Sequence, residues 1–128
     1  MQIQMKDGLP IVSLNVSYEG KTICLENVLF DTGCAATVFD TDLMASIDLH
    51  IDFINGTAKR MYGIGGTSEA CYEQLIPNLI IDGLHFETFR MQLGSIQEPY
   101  GFEGILGIDY MQRTGLKVDF EKMNIRYR

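Results

Sequence analysis

The chain has little of what a disulfide framework, a metal centre or a membrane span requires. Its 128 residues include three cysteines, Cys24, Cys34 and Cys71, without CxxC spacing, and two histidines that lie far apart. An odd number of unclustered cysteines suits a reducing compartment, and no zinc-ligand spacing is present. No apolar run could cross a bilayer, since Pro77 and Asn78 interrupt the longest candidate, LIPNLII. We therefore expect no metal, no cofactor and no membrane partner.

Basic residues are also scarce. Ten Lys and Arg are set against 17 Asp and Glu, so the formal net charge is −7. Such a surface repels a phosphate backbone, which argues against a nucleic-acid partner. The first ten residues, MQIQMKDGLP, lack the basic region and apolar stretch of a secretion signal. Together with the cysteines, this predicts a cytoplasmic protein.

Alternating apolar residues are what the sequence has instead. Residues 11–18 alternate, Glu19-Gly20 reads as a turn, and a second strand runs from about Thr22 to Phe30. The predicted buried face of the first strand holds Val12, Leu14, Val16 and Tyr18. No linker rich in Pro, Gly or Ser divides the chain, so we expect a single domain spanning residues 1–128.

The rest of the chain adds further strands and small helices. TVFDTDLMASIDL has helical spacing at Val38, Leu43 and Ile47, with Asp40 or Thr41 as the N-cap. Residues 57–75 predict two strands joined by a glycine-rich turn, and residues 77–93 predict a hairpin at Asp82-Gly83.

After these elements, EPYGFEG (residues 98–104) reads as a loop that could form part of a substrate pocket wall. GILGIDYMQRTG follows as a short buried helix stopped by Gly115, and the chain closes with two strands around Glu121-Lys122. The sum is seven or eight short strands with one or two small helices. This indicates a closed or nearly closed all-β domain.

An acidic residue at the end of an apolar strand is the main functional signal. The run Val28, Leu29, Phe30 leads directly into Asp31-Thr32-Gly33. Such a run is buried on both faces and delivers Asp31 to the interior edge of the domain. A glycine-rich hairpin, MYGIGG, follows about thirty residues later, and the element ILG comes last, at residues 105–107.

These three parts, in this order, resemble the retropepsin-like aspartic proteases, the family of the retroviral proteases and their bacterial relatives. The resemblance covers nearly the whole chain, and it implies a single acid-protease-like β-barrel lobe. Asp31 would then be the catalytic carboxylate, supported by Thr32, Gly33 and Cys34. Thr32 would bond across the active site, and the Gly33 N–H would approach the carboxylate.

The resemblance also implies a flap that closes over a bound peptide. The flap and substrate-binding residues would be Met61, Tyr62, Gly63, Ile64, Gly65 and Gly66, although Tyr62 is equally well an ordinary strand residue. The structural residues packed behind the catalytic loop would be Ile105, Leu106 and Gly107. The last strand, residues 124–128, would pair with the termini of a partner chain.

Peptide hydrolysis of this kind needs two carboxylates, one ionised as general base and one protonated to polarise the scissile carbonyl. The chain has a single Asp-[Ser/Thr]-Gly triplet, and Asp109 and Asp119 read as helix-surface and strand-surface carboxylates. A single copy predicts a two-fold homodimer in which both Asp31 residues meet at the axis. The expected function is an aspartic endopeptidase that acts on a peptide or protein substrate.

Cys34 stands where many members of that family carry Ser, Thr or Ala. A hydroxyl there can stabilise the ionised carboxylate, whereas a thiol is a weak donor. This predicts a pH optimum nearer neutral than in pepsin-like enzymes. Cys34 could also be oxidisable, although cysteine is more often a small buried apolar residue.

Two other readings remain open at this stage. The same fold can serve as a catalytically silent dimerisation or peptide-binding module, because fold does not settle function. The chain could also be a monomeric piece of a longer protein whose activity needs missing segments.

Overall fold

Ten strands and three short helices make up residues 1–62 and 68–127, the part of the chain that this computed structural model describes. In chain order they are β1 (Ile3–Lys6), β2 (Leu9–Tyr18), β3 (Lys21–Phe30), β4 (Val38–Asp40), α1 (Thr41–Ala45), β5 (Thr57–Tyr62), β6 (Ser68–Ile81), β7 (Leu84–Gly94), α2 (Gln97–Tyr100), β8 (Gly104–Leu106), α3 (Ile108–Thr114), β9 (Lys117–Asp119) and β10 (Asn124–Arg126). The mainly-β prediction is confirmed. The number of elements was underestimated, and several strands are long rather than short.

Eight strands form one sheet in the order β1-β2-β3-β8-β4-β7-β6-β5. An extra pairing of β2 with β6, through Val16↔Ile81 and Ser17↔Ile80, joins six of these strands into a ring. The ring encloses a core of apolar side chains that includes Leu25, Phe39 and Phe89. Strand β3 pairs in parallel with β8, and this pairing leads directly to Asp31.

Three hairpins turn at an acidic residue followed by glycine. Glu19 and Gly20 have φ of 50° and 81°, and Asp82 and Gly83 have φ of 51° and 77°. Both of these turns are where the sequence predicted them. A third turn, Asp7-Gly8, has φ of 52° and 79° and joins β1 to β2. Two successive residues with positive φ suit the right-handed twist of the flanking strands.

Some local predictions need correction. Val38 belongs to β4 rather than to the helix, which begins at Thr41 with Asp40 as its N-cap. The carboxylate of Asp40 accepts the Leu43 N–H at 3.3 Å. Strand β6 is continuous over 14 residues, so the two predicted hairpins share one strand. Residues 97–100 form a short helix instead of a loop. The predicted glycine-rich turn lies in residues 63–67, outside the described residues.

The terminal strand is bonded within its own chain, and its expected pairing with a partner chain stays a prediction. Strand β10 pairs with β9 on one edge. On its other edge, Ile125 exchanges hydrogen bonds with Met1, donating its N–H at 2.8 Å and accepting from the terminal amine at 3.0 Å. The Ile3 N–H also donates to the Met123 carbonyl at 2.9 Å. Both edges of β10 are therefore occupied by its own chain.

Candidate active site

Asp31 lies one residue beyond the end of β3, beside the end of β8. Its backbone N–H donates to the Leu106 carbonyl at 3.0 Å, which continues the parallel pairing of the two strands. The Gly33 N–H donates to Asp31 Oδ1 at 2.9 Å, and the Cys34 N–H donates to the Asp31 carbonyl at 3.2 Å. A tight turn thus fixes the carboxylate against its own backbone. A Cβ on Gly33 would lie only 3.2 Å from Asp31 Oδ1.

The segment that carries Asp31 ends at Thr37, and we call residues 31–37 the Asp31 loop. Gly107 supports this loop from behind through close backbone contact. A Cβ on Gly107 would lie 2.7 Å from the Cys34 carbonyl oxygen and 2.9 Å from that of Ala36. The Gly107 N–H donates to Thr37 Oγ1 at 3.1 Å, and the Ile108 N–H donates to the Cys34 carbonyl at 2.8 Å. Only glycine leaves room for this approach.

Asp109 holds the far end of the Asp31 loop, a role that the sequence reasoning missed. Its carboxylate accepts the Thr37 N–H at 3.0 Å and the Thr37 hydroxyl at 2.7 Å. It also accepts the Tyr110 N–H at 2.8 Å. The prediction of a helix-surface carboxylate is therefore wrong, because Asp109 is half-buried and anchors Thr37, which is fully buried. The sequence feature that could have indicated this role is the position of Asp109, two residues after the glycine of ILG.

Cys34 does not donate to the Asp31 carboxylate. Its Sγ lies 3.0 Å from the Ala36 carbonyl oxygen, to which the thiol donates. Burial raises the pKa of the Cys34 thiol, and the nearby Asp31 and Asp109 carboxylates raise it further, against an opposing effect of the Ala36 bond. The thiol therefore stays protonated near neutral pH. In this arrangement it supports the loop backbone instead of the carboxylate.

Thr32 and Gly33 face outward from the loop. Both are exposed, whereas Asp31 is half-buried between them and the body of the domain. Within the described residues, the Thr32 side chain makes no hydrogen bond. Its hydroxyl is thus available to a group outside this chain, at the end of the domain where Asp31 is presented.

An apolar pocket of about 260 Å³ opens beside β8. The buried side chains of Cys71 and Ile96 and the half-buried Ile105 contribute to its lining. Ile105 pairs with Leu29 on β3, two residues before Asp31, so the pocket lies close to the Asp31 loop. Within the described residues, the lining is Met61, Tyr62, Glu69, Cys71, Ile96, Tyr100, Phe102 and Ile105.

The pocket brings together residues from both predicted regions. Met61 and Tyr62 come from the flap prediction, and Tyr100 and Phe102 come from residues 98–104. Tyr62 is 73% exposed, which leaves it free to contact a ligand. The other predicted flap residues, Gly63, Ile64, Gly65 and Gly66, lie outside the described residues.

Two polar contacts hold the pocket wall at α2. The buried Asp40 carboxylate accepts the N–H groups of Ile96 at 3.1 Å and Gln97 at 3.0 Å. The Tyr100 hydroxyl donates to the Glu69 carboxylate, which links α2 to β6 across the pocket. This bond is the main cause of a raised pKa of Tyr100. These hydrogen bonds therefore hold the pocket wall at α2 both to Asp40, at the end of β4, and to Glu69 on β6.

Two features are absent from residues 1–62 and 68–127. No group of three or more His, Cys, Asp or Glu side chains there could hold a metal ion. No helix in the same residues is long and apolar enough to span a membrane.

Solved structures of aspartic proteases are similar to this chain over most of its length. The EIAV protease, solved with the inhibitor HBY-793, is 24% identical with a TM-score of 0.59, covering 89% of this chain and 95% of its own. A retropepsin-like aspartic protease from Rickettsia conorii is 12% identical with a TM-score of 0.63, covering 98% of this chain and 97% of its own. The retroviral protease-like domain of Ddi1 from Leishmania major is 12% identical with a TM-score of 0.60, covering 91% and 86%.

These likenesses establish the fold. The chain has the retropepsin-like fold, as the order of its three motifs predicted. No protein-family model and no curated protein sequence matches it. The chemistry of this chain therefore has to be argued from its own residues.

Proposed function

We propose that the chain is an aspartic endopeptidase that acts as a homodimer, with one Asp31 from each subunit at the two-fold axis. The observation that carries this proposal is the fixed presentation of Asp31. The carboxylate is oriented by the Gly33 N–H at 2.9 Å, at the end of a strand pair locked by the Asp31–Leu106 hydrogen bond at 3.0 Å. A loop that served only as a turn would not need this close support from Gly107.

The dimer follows from the count of carboxylates. General acid–base hydrolysis of an amide requires a base for water and an acid for the carbonyl oxygen. Asp109, which anchors the far end of the Asp31 loop, is engaged with Thr37 and Tyr110 through both of its oxygens. The second catalytic carboxylate therefore comes from a second chain. The exposed Thr32 hydroxyl then faces the partner loop across the axis.

The reaction proceeds between the two Asp31 carboxylates. Two such groups at close range share one proton, because ionising both would place like charges together. The ionised carboxylate takes a proton from a water molecule, whose oxygen attacks the scissile carbonyl carbon. The protonated carboxyl group donates its proton to the carbonyl oxygen, which gives a tetrahedral intermediate. The carboxyl group that took the water proton then gives it to the amine nitrogen, and the C–N bond breaks. The other carboxylate recovers its proton from a hydroxyl group of the collapsing intermediate. The pH dependence belongs to the pair, not to either residue.

The substrate is a peptide or protein segment in extended conformation. The pocket beside Ile105 is lined mainly by apolar side chains, so it favours a large apolar substrate side chain near the scissile bond. Strand β5 is at the edge of the sheet, where an extended peptide can add backbone hydrogen bonds. The preference for particular substrate sequences would then arise from the pocket, and the affinity for the substrate from its backbone hydrogen bonds to β5.

Incubation with a diverse peptide library from pH 4 to 8, read by mass spectrometry, tests the proposal. The wild-type chain should cleave peptides, and Asp31→Asn should not. Asp42→Asn is a matched control, because Asp42 is an exposed carboxylate on α1 that lies outside the Asp31 loop. It should cleave at the wild-type rate.

Two other outcomes would contradict the proposal. If neither wild type nor Asp31→Asn cleaves and the chain is dimeric, it is a silent dimerisation or peptide-binding module. If Asp31→Asn cleaves as well as wild type, the activity does not depend on this carboxylate.

A further inference from the structure

We propose that Glu69 makes the apolar pocket select a long basic side chain of the substrate, lysine or arginine. The methylene groups of that side chain contact the apolar wall, and its cationic end pairs with the Glu69 carboxylate. The inference rests on the proposed function, because it names the class of substrate side chain that the pocket beside the Asp31 loop takes. Glu69 then determines specificity and takes no part in breaking the peptide bond.

Strand register places Glu69 directly across from Met61. The two residues are partners in the pairing of β5 with β6, and both line the pocket. Side chains that are directly opposite point to the same side of a sheet, with Cβ atoms about 5 Å apart. Cys71, two residues further along β6, belongs to the same lining and is 2% exposed. The strand therefore carries a buried apolar residue and, roughly 7 Å away, a carboxylate on the same side.

Glu69 is the one charged side chain among the described residues that line the pocket. The other lining residues are aliphatic, aromatic or sulfur-containing. A purely apolar ligand would take water from the carboxylate without offering it a hydrogen bond. A lysine or arginine side chain has an apolar stem and a cationic end, so it matches both parts of the lining. At about 260 Å³ the pocket suits a single side chain of this size.

The Tyr100 hydroxyl orients the Glu69 carboxylate and leaves part of it open. This hydroxyl donates to Glu69 Oε1. In the described part of the chain, Oε2 makes no hydrogen bond and Glu69 makes no ion pair. An ionised carboxylate can accept about four hydrogen bonds. Tyr100 thus positions the carboxylate, while Oε2 is available to an ammonium or guanidinium group of the substrate.

The two basic residues of β5 have other partners. Lys59 Nζ lies 3.8 Å from Glu73 Oε2, and Arg60 Nη1 donates to the Ser68 hydroxyl at 3.0 Å. Among these contacts, neither cation neutralises Glu69. The net charge of −7 also attracts basic peptides more than acidic ones. Local charge and overall charge therefore favour the same class of substrate.

Peptides that differ at one position test this selection. A fixed apolar peptide carries lysine, norleucine or glutamate at each position in turn, and norleucine keeps the methylene stem of lysine without its ammonium group. At the position that the pocket takes, the wild-type chain should prefer lysine to norleucine by about fivefold in kcat/KM, as expected for an exposed ion pair. Added salt should reduce this preference, because it screens exposed charges.

Variants of the pocket locate the effect. Glu69→Gln should remove the preference for lysine, and Glu69→Lys should replace it with a preference for glutamate. Tyr100→Phe removes the hydrogen bond that positions the carboxylate, so it should weaken the preference without reversing it. Glu87→Lys is the matched control for Glu69→Lys, because it makes the same change in charge at an exposed site on β7 outside the pocket lining. It should keep the wild-type preference.

Binding measurements separate this inference from the proposed function. Fluorescence anisotropy gives the dissociation constants of the same peptides for the Asp31→Asn chain, with and without the Glu69 changes. If Glu69 controls a preference for lysine in binding while the wild-type chain cleaves nothing, the specificity stands and the endopeptidase activity fails. If the wild-type chain cleaves lysine and norleucine peptides equally well, or if Glu69→Lys keeps the preference for lysine, the inference is overturned and the activity stands. Peptides that are neither bound nor cleaved would overturn both.

Discussion

The Asp31 loop and the apolar pocket lie side by side but are built differently. The loop is fixed by hydrogen bonds from Gly33, Gly107 and Ile108 and by contacts too close for any side chain on Gly107. The pocket is formed by side chains, and two of them, Tyr62 and Tyr100, are 73% and 50% exposed. Fixed backbone suits a carboxylate that must be placed accurately. Adaptable side chains suit the selection of a substrate.

The largest effect is expected from Gly107→Ala, which disturbs the fixed region alone. The new methyl group would lie 2.7 Å from the Cys34 carbonyl oxygen, and the backbone on both sides would have to move. A displacement near 1 Å at Asp31 should lower kcat by about a hundredfold. Steady-state kinetics on the best library peptide gives this value.

Gly115→Ala is the matched control for that change. Gly115 has φ of 63° and nothing near its Cβ position, so alanine strains the end of α3 without touching the Asp31 loop. It should cost about 1 kcal/mol of stability and leave kcat nearly unchanged. Equal losses of kcat in both variants would mean that the loop is not specially constrained.

Asp109→Asn should give the next largest effect. The wild-type carboxylate accepts from both the N–H and the hydroxyl of Thr37, and an asparagine NH₂ would face one of these donors. The loss of one buried bond should cost about 1–3 kcal/mol of unfolding free energy. It should also lower kcat more than it changes KM.

Denaturant unfolding and kinetics together measure the Asp109→Asn effect. Asp119→Asn is the control, because Asp119 is also half-buried but accepts a single backbone N–H, from Lys122 at 2.9 Å. An asparagine oxygen can still accept that bond. If the Asp119 variant is as unstable and slow as the Asp109 variant, the anchoring role of Asp109 is refuted.

Met61→Ala addresses the pocket side of the comparison. It removes half-buried apolar surface at the pocket without changing any hydrogen bond of the Asp31 loop. We expect kcat/KM for peptides with a large apolar residue to fall by roughly tenfold, with little change for peptides with a small one. The measurement is competition between two such peptides. A uniform loss over all peptides would instead indicate damage to the loop.

The smallest effect at neutral pH is expected from Tyr110→Phe, on the helix that carries Asp109. Burial raises the pKa of Tyr110 to about 12, and its hydroxyl pairs with that of Tyr127 at 2.7 Å. The unfolded chain releases the tyrosine proton near pH 10, before the folded chain does. The contribution of Tyr110 to the free energy of unfolding is therefore fully present below about pH 10, and it is lost as the pH rises toward 12.

Thermal unfolding between pH 8 and 12 measures this dependence. The wild type should lose stability faster above pH 10 than Tyr110→Phe, although the variant is slightly less stable at pH 8. Tyr72→Phe serves as a control, because Tyr72 is half-buried on β6 and within the described residues its hydroxyl makes no hydrogen bond. If wild type and Tyr110→Phe lose stability identically between pH 8 and 12, the alkaline loss of stability does not come from Tyr110.

Local signals explain how much of the fold could be predicted. The turns at Glu19-Gly20 and Asp82-Gly83 were found because an acidic residue before glycine marks a tight hairpin. The same signal at Asp7-Gly8 was overlooked, since β1 is short and its residues are mostly exposed. The route of β10 could not be predicted, because the contact of Ile125 with Met1 joins the two ends of the chain.

Part of the candidate site could likewise be predicted from the sequence, and part could not. The positions of Asp31, Gly33 and Gly107 follow from motifs that local sequence makes visible. The role of Asp109 depends on Thr37, which lies 72 residues away, so only the folded chain reveals it. The single domain over residues 1–128, the cytoplasmic location and the pH optimum nearer neutral stay predictions.

Subunit mixing tests the central claim most directly. Increasing amounts of Asp31→Asn chain are added to a fixed amount of wild type, and peptide cleavage is followed while native mass spectrometry counts heterodimers. If the active site takes one Asp31 from each chain, activity should fall as heterodimers replace wild-type dimers. Activity that stays constant while heterodimers form would contradict the account.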